Sequence, residues 1–296
     1  MIRRAFRPPA RGAALLLVLW LIALLTALVG AFALSARIEH LQGRVLYQGV
    51  AGEQAARAGL EYAVSRMLDP VPEQRWLPDG RAYAWRFDGV DIALRLVDES
   101  GKVDLNAAQQ PLLAALLRAA GAEQQQAERI AAAILDWRDP DDLGQVLGAA
   151  EDPQYAAAGL PYGAKDAPLE SIGELQQILG MTPALYEALL PHVTVHSGLA
   201  TPDPRFAGGL VLQALGMDPE QVLQSRQPAP GLPQPPELLG GGTGTYSIDS
   251  RARLADGREA VLQAVVRVGG GISPGAAYTI LRWKEGASAS DASPGP

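Results

Sequence analysis

The stretch RPPARGAALLLVLWLIALLTALVG, residues 7–30, decides the architecture because it can form a helix that crosses a membrane. No charged residue occurs between Gly12 and Ala36, and leucine, alanine and valine predominate. At about 1.5 Å per residue, this run spans the roughly 30 Å of a bilayer's hydrocarbon core. A cleavable secretory signal has a shorter apolar region of roughly 7 to 15 residues, followed by a small-residue cleavage site. We therefore predict a transmembrane helix over residues 13–36.

Charged residues before the apolar run indicate its orientation. Arg3, Arg4, Arg7 and Arg11 precede the run, and no acidic residue balances them. Because positively charged flanks stay in the cytoplasm, we expect a cytoplasmic N-terminus and a C-terminal domain on the far side of the membrane. A buried core helix is the competing interpretation, but such a helix would not normally be apolar on every face.

The helical pattern continues past the apolar segment. Residues 37–68 contain no proline, and Pro70 and Pro72 follow them. Since proline disrupts a helix, we predict one helix from about residue 13 to residue 69. Its second half has a stripe of small residues, which indicates close packing against another surface. The stripe consists of Gly49, Gly52, Ala56, Gly59 and Ala63.

Alternating apolar residues predict an antiparallel sheet after this helix. Residues 82–97 have the pattern of a β-hairpin, with Asp88-Gly89 as a favoured two-residue turn. Near the C-terminus, two further strand patterns flank Asp256-Gly257, and the run AYTILRW places Tyr278 and Ile280 opposite Leu281 and Trp283. Two strands before a long interruption and three after it can form one sheet. The expected fold class is α+β.

The interruption, residues 101–225, is predicted to be an inserted helical domain. Helices are expected at about 107–120 and 124–138. Ser171 and Glu174 form a capping box ahead of a helix that closes at Gly180, and Thr182-Pro183 starts the next helix. Residues 226–244 are too rich in proline and glycine for regular structure, so we expect a linker there.

Composition argues against several functions. The net charge is −7, and residues 101–195 carry 5 Lys and Arg against 13 Asp and Glu, so phosphate and nucleic acid would be repelled. The absence of cysteine excludes disulfides and thiol chemistry. Residues 271–275 match G-x-S-x-G without the strand, turn and helix of a nucleophile elbow. His192 and His196 flank a strand pattern, which favours ordinary histidines over a metal pair. We expect no catalytic site.

One acidic segment is a candidate metal site. Six carboxylates occur within a short stretch and repel one another unless a cation offsets their charge. They are Asp136, Asp139, Asp141, Asp142, Glu151 and Asp152. Oxygen ligands favour Ca²⁺, whereas Zn²⁺ would favour histidine or cysteine. The spacing is not that of an EF-hand, and a solvated acidic loop remains the alternative.

Several of these stretches resemble a known family. A basic leader ending in Arg11-Gly12, followed directly by an apolar helix, resembles the class III signal of type IV pilins and type II secretion pseudopilins. The chain is similar to the K-type minor pseudopilin of the type II secretion system, the GspK family, in three further stretches. They are AILDWRDPDD, GAAEDPQY and LESIGELQQILGMTPALYEALLPHVTV. The terminal AVVRV and YTILRW are similar as well.

The resemblance implies a domain plan and a processing step. A prepilin peptidase would cut after Gly12, leaving Ala13 as an N-methylated first residue, and the rod helix would pack on a pseudopilin sheet with an inserted all-α, helix-hairpin-helix or SAM-like domain. The expected parts are the leader 1–12, the transmembrane helix 13–36, the rod helix and first strands 37–100, the insertion 101–225, the linker 226–244, the last strands 245–285 and a disordered tail 286–296.

The resemblance also implies a role in secretion. The protein would lie in the bacterial inner membrane with a periplasmic C-terminal domain, at the pseudopilus tip, beside minor pseudopilins of the I and J types and the secretion platform. Leu17, at the fifth mature position, replaces the usual pilin glutamate, which a tip subunit does not need. Calcium at the acidic segment is also implied. The alternative is a pilin-like component of a DNA-uptake or type IV pilus machine.

Overall fold

One long helix, α1 (Ala13–Met67), opens the part of the chain that the structure describes. The computed structural model describes residues 13–141, 143–145, 150–226, 242–269 and 277–288. Helix α1 is continuous because no proline or run of turn residues interrupts it, and it ends just before Pro70. The predicted continuous helix is therefore confirmed.

The chain divides within α1 into two units, Met1–Gly52 and Glu53–Pro296. In the first unit, Ala14–His40 is long and apolar enough to cross a membrane, with a mean hydropathy of 2.8. None of its hydropathy window is buried, and Trp20 is 75% exposed. A helix that is apolar on every face and covered by no protein fits a single-pass membrane anchor.

In the second unit, the end of α1 packs on a β-sheet. Ala56, Leu60 and Ala63 are at most 2% exposed and belong to the core that the helix shares with the sheet. A Cβ on Gly59 would lie 2.9 Å from Cγ2 of Ile92, so only glycine permits this close approach. The predicted small-residue contact is confirmed here. The same predicted contact is not present at Gly49, where a Cβ would meet nothing within 4 Å among the described residues.

The sheet has five antiparallel strands in the order β1-β2-β5-β6-β7. The strands are β1 (Asp79–Phe87), β2 (Val90–Asp98), β5 (Thr245–Arg253), β6 (Glu259–Val268) and β7 (Tyr278–Ser288). Strands β2 and β5 are neighbours in space although most of the described helices lie between them in sequence. The predicted α+β fold, with a helical domain inserted into a sheet, is confirmed.

Turn residues fix the register of the first hairpin. Asp88 and Gly89 both have positive φ, 47° and 79°, as a two-residue turn between twisted strands requires. Trp85 therefore pairs with Ile92, and both side chains face α1. The Tyr62 ring of α1 stacks on the Trp85 ring with a centroid distance of 4.3 Å.

The last strand differs from its predicted pattern. Val265 pairs with Arg282 and Val266 pairs with Ile280, so Leu281 is an extra residue in a β-bulge. Ile280 and Trp283 consequently lie on the same face, and their predicted placement on opposite faces is wrong. The strand also continues to Ser288, past the expected end at residue 285. Residues 289–296 of the expected tail lie outside the described residues.

The inserted domain has its own apolar core. A short parallel pair, β3 (Val103–Asp104) and β4 (Val193–Thr194), brings the start of the domain beside the segment that follows α5. Its helices are α2 (Gln110–Ala119), α3 (Gln124–Arg138), α4 (Asp152–Ala157), α5 (Pro183–Leu189), α6 (Gly209–Ala214) and α7 (Pro219–Ser225). Large side chains from α2 and α3, among them Leu113, Leu117, Ile130 and Ile134, form much of this core.

Two helix boundaries differ from the predicted ones. The capping box of Ser171 and Glu174 is present, but it starts a 3₁₀ helix, Ile172–Gln177, rather than an α-helix that reaches Gly180. Helix α2 begins at Gln110, later than the expected residue 107. The carboxylate of Asp104 accepts from the backbone N–H of Asn106 at 2.8 Å and holds that segment in a turn. Most of the expected linker, residues 227–241, lies outside the described residues.

Candidate functional site

The predicted processing site, Gly12 and Ala13, lies at the boundary of the described residues. Helix α1 begins at Ala13, whereas Gly12 lies outside the described residues. Leu17 lies in the first turns of α1 and is 71% exposed. An apolar side chain at this position adds to the lipid-compatible surface, while a carboxylate would be costly there.

Asp136 organises the acidic segment from the last turn of α3. Its side chain is fully buried, and its two oxygens accept from the backbone N–H groups of Gln145 at 3.0 Å and Ala150 at 2.7 Å. Burial raises the pKa of Asp136, the two backbone hydrogen bonds oppose this shift, and the Asp141 charge adds to it. Asp136 therefore holds both ends of the following loop.

Asp139 has an unused buried oxygen. Its Oδ1 has no hydrogen-bond partner within the described residues, and its Oδ2 lies 3.4 Å from Nε2 of Gln145. Burial, followed by the charges of Asp141 and Asp136, raises the pKa of Asp139. Asp136 and Asp139 therefore both contact Gln145, and the charge of Asp141 acts on both carboxylates. Asp142 lies outside the described residues.

Glu151 and Asp152 lie at the start of α4. Glu151 is buried and forms a capping box with Gln154, whose Oε1 accepts from the Glu151 N–H at 3.1 Å. Asp152 is exposed, and its carboxylate covers Gly163 so closely that a Cβ there would overlap it. Both residues therefore already have local structural contacts.

The acidic segment fits a hard cation by its donors. Asp139 has a buried carboxylate oxygen without a hydrogen-bond partner, and a bound cation could take that place. All the candidate side-chain ligands are carboxylates, which hard cations prefer. In the ranges that the structure describes, no three acidic or histidine side chains are already arranged to hold a metal. The site would therefore need further ligands from its loop.

A second polar cluster lies where the insertion joins the sheet, and sequence reasoning missed it. Glu99, in the turn after β2, is 1% exposed. Its carboxylate accepts from Nζ of Lys102 at 2.5 Å and from the hydroxyls of Thr194 in β4 and Ser247 in β5. Burial alone would raise the pKa of Glu99, but Lys102 and the hydroxyl donors outweigh it and hold the pKa below its usual value. Glu99 thus links the insertion to the sheet.

Asp98, beside Glu99, is in a different environment. It is 1% exposed, and its Oδ1 accepts from the backbone N–H and the hydroxyl of Ser100, at 2.8 Å and 2.6 Å. Its Oδ2 has no hydrogen-bond partner in the described part of the chain. Burial raises the pKa of Asp98, and the charges of Glu99 and Asp203 act in the same direction. A buried carboxylate without a counterion costs stability when it is ionised.

The two histidines of the insertion flank β4, so the strand pattern predicted there is confirmed. Burial lowers the pKa of both His192 and His196, which favours neutral rings at physiological pH. They belong to no metal-binding group among the described residues.

Comparison with a solved structure shows a shared fold. The crystal structure of the GspK-GspI-GspJ complex from enterotoxigenic Escherichia coli contains a chain with the same fold. The TM-score is 0.57 at 20% sequence identity, and the match covers 86% of this chain and 99% of the other. The shared fold is a long helix whose end packs on an antiparallel sheet, with a helical domain inserted between adjacent strands.

Sequence comparisons show similarity to one family. The family model described as "Type II secretion system (T2SS), protein K" matches residues 93–198. Type II secretion system protein K of Klebsiella pneumoniae is 32% identical over 206 residues, which is 62% of each chain. The protein K of Pectobacterium carotovorum subsp. carotovorum is 41% identical over 78 residues, 26% of this chain and 24% of that protein. The chain spans 62% of the length of the Klebsiella pneumoniae relative.

Proposed function

We propose that the protein is a non-catalytic minor pseudopilin at the tip of the type II secretion pseudopilus. There it would aid the start of fibre assembly and the export of folded periplasmic proteins. The observation that carries this proposal is the family match across the insertion, together with a pseudopilin fold shared with a chain of the GspK-GspI-GspJ complex. The I-type and J-type minor pseudopilins, the prepilin peptidase and the secretion platform are its expected partners.

The place of the insertion supports a tip position. The insertion begins after β2, and the chain returns to the sheet at β5. Asp98, the last residue of β2, pairs directly with Tyr246, near the start of β5. A domain of this size at the end of two central strands would obstruct a subunit stacked beyond it, whereas it is tolerated at a fibre end. Co-purification tests the partnership: the full chain in detergent should retain purified I-type and J-type minor pseudopilins together, and failure to retain either would contradict it.

Processing is the second part of the proposal. Peptidase cleavage after Gly12 would leave Ala13, the first residue of α1, as the mature N-terminus in the inner membrane, with the domains beyond α1 in the periplasm. N-terminal sequencing of the protein from cells with an active prepilin peptidase should begin at Ala13, with an N-methyl group. A mature protein that still begins at Met1 would instead indicate a plain signal anchor.

Calcium binding at the acidic segment is the third part. Asp139 Oδ1 would gain a ligand, and the charges of Asp136, Asp139 and Asp141 would be offset. Calcium should then raise the unfolding temperature of the full chain by mass action, and chelator should reverse the effect. Asp139→Asn should weaken the response, whereas Glu187→Gln, on an exposed part of α5, should not. A midpoint that does not change in millimolar calcium would remove the metal from this proposal.

A further inference from the structure

The sheet has a second face, turned away from α1, and part of this face is unusually bare. Three alanines, Ala82, Ala84 and Ala93, are exposed on the paired strands β1 and β2. Alanine is depleted in strands because it leaves little side chain to pack or shield the backbone. Three alanines at adjacent exposed positions therefore leave a shallow depression along the two strands.

This depression consists of two open cavities. Two cavities of about 450 Å³ and 350 Å³ lie side by side, and both are lined by Ala93 and Arg251. Ala82 and Ala84 complete the floor, and the arginines of β5 form one wall. We call this depression the alanine groove. It is open on the side of β1, which is an edge strand.

The face around the alanine groove is positively charged, although the chain has a net charge of −7. Strand register places seven cations on it, against four acids. The cations are Arg86, Arg95, Arg251, Arg253, Arg267, Arg282 and Lys284, and the acids are Asp79, Asp91, Asp249 and Glu259. The cations thus exceed the acids by three, in a protein whose inserted domain is strongly acidic.

Ion pairing within the face uses only part of this charge. Arg251 forms an ion pair with Asp249 at 3.1 Å. Arg86 lies 3.6 Å from Asp91, and the side chains of Arg86 and Asp91 are both more than 70% exposed. Among the described residues, Arg95 and Arg253 form no ion pair. Guanidinium groups bind carboxylates in a planar, two-pronged geometry, so unpaired arginines beside a bare floor suit a carboxylate-bearing surface.

We propose that the alanine groove is a docking site for the acidic surface of a folded partner protein. The partner's backbone approaches the alanine floor, and its carboxylates pair with Arg253 on one side and Arg95 on the other. The partner is defined by charge complementarity, because an acidic surface matches a face with an excess of three cations. The alanine groove lies on the side of the sheet, so docking there does not require the tip position.

The test uses the full chain in phosphatidylcholine nanodiscs and, as probe, a fluorescent protein engineered to a high negative charge. The wild type should bind this probe more tightly than the neutral parent, with an affinity that falls as salt rises. The double substitution Arg95→Gln and Arg253→Gln should weaken binding about fivefold, because two cations at the site are lost. The matched control, Arg118→Gln with Arg129→Gln, removes the same charge from exposed positions in the insertion and should change binding by less than about twofold.

A steric variant separates the groove from charge alone. Ala93→Trp fills the floor at an exposed position and leaves every charge in place, so it should also reduce probe binding by at least about fivefold. If the control double variant in the insertion lost as much probe affinity as the Arg95 and Arg253 double variant, the docking site would be overturned. Wild-type probe affinity in Ala93→Trp would also overturn it. Binding of phosphatidylglycerol vesicles but not of the acidic probe would assign the face to a membrane surface and would also overturn it.

Discussion

Replacing Glu99 by alanine should strongly destabilise the sheet and the inserted domain. The substitution leaves the Lys102 ammonium, whose side chain is only 14% exposed, without its partner at 2.5 Å. It also removes the acceptor of the Thr194 and Ser247 hydroxyls. Removing one partner of a buried ion pair costs about 3 to 5 kcal/mol. For a domain of this size that corresponds to a fall of roughly 10 °C in unfolding temperature.

The charge and the shape of Glu99 can be separated. Glu99→Gln keeps the side-chain volume and one acceptor oxygen but loses the charge that Lys102 pairs with, so it should cost about 2 kcal/mol. The matched control is Glu187→Ala, an exposed glutamate of α5, which should change stability by no more than about 0.5 kcal/mol. Urea unfolding of the full chain in detergent, followed by tryptophan fluorescence, measures all three variants.

The effect of Glu99 should depend on pH in a defined direction. Burial by itself would raise the pKa of Glu99, but Lys102 and the hydroxyl donors lower it by more. The folded state therefore holds the pKa of Glu99 below its unfolded value of about 4.3. A carboxyl with a lowered pKa stabilises the fold above the unfolded pKa, and this stabilisation is lost as the pH falls through the folded pKa. The difference between wild type and Glu99→Gln should therefore shrink below about pH 4.

A double-mutant cycle shows whether Glu99 couples the insertion to the sheet. Glu99→Ala and Ser247→Ala remove two ends of one hydrogen bond between the turn after β2 and strand β5. Their effects should therefore be non-additive, with a coupling energy of at least about 1 kcal/mol. If Glu99→Ala were no more destabilising than Glu187→Ala, the linking role of Glu99 would be wrong.

Two further substitutions follow from the packing and from the pKa of Asp98. Gly59→Val should lower the free energy of unfolding by about 3 kcal/mol, because its Cβ would lie 2.9 Å from Ile92 Cγ2. Gly49→Val should lower it by less than about 1 kcal/mol, because a Cβ there would meet nothing within 4 Å among the described residues. Equal costs would contradict the close helix-to-sheet contact. Asp98→Asn should raise the unfolding temperature at pH 7.5 by a few degrees, about 1 kcal/mol. Burial raises the Asp98 pKa, so its ionised form costs stability above that pKa, and the advantage of asparagine should disappear on acidification.

Local signals in the sequence were sufficient for the main elements. The apolar run and Pro70 determine the extent of α1, and Asp88-Gly89 determines the first hairpin, because each signal acts through its immediate neighbours. Gly59 was predicted to lie at a close contact because helical spacing placed it in a small-residue stripe. The inserted position of the helical domain followed from counting strands on either side of it.

Contacts between distant residues were not predictable in the same way. The Glu99 partners Thr194 and Ser247 are 95 and 148 residues away, so their convergence depends on the complete fold. The bulge at Leu281 has no glycine or proline to mark it. Asp136 was recognised as a candidate ligand, but its burial and its two backbone hydrogen bonds were visible only in the structure.

The most direct test of the central claim is where the protein lies along the pseudopilus. Gold labelling of a tagged full-length chain on purified fibres should place label at one fibre end. A matched variant, in which a short turn joins β2 to β5 where Asp98 and Tyr246 pair, removes the insertion and should permit label along the fibre. Full-length chains spaced along the whole fibre would contradict the tip position.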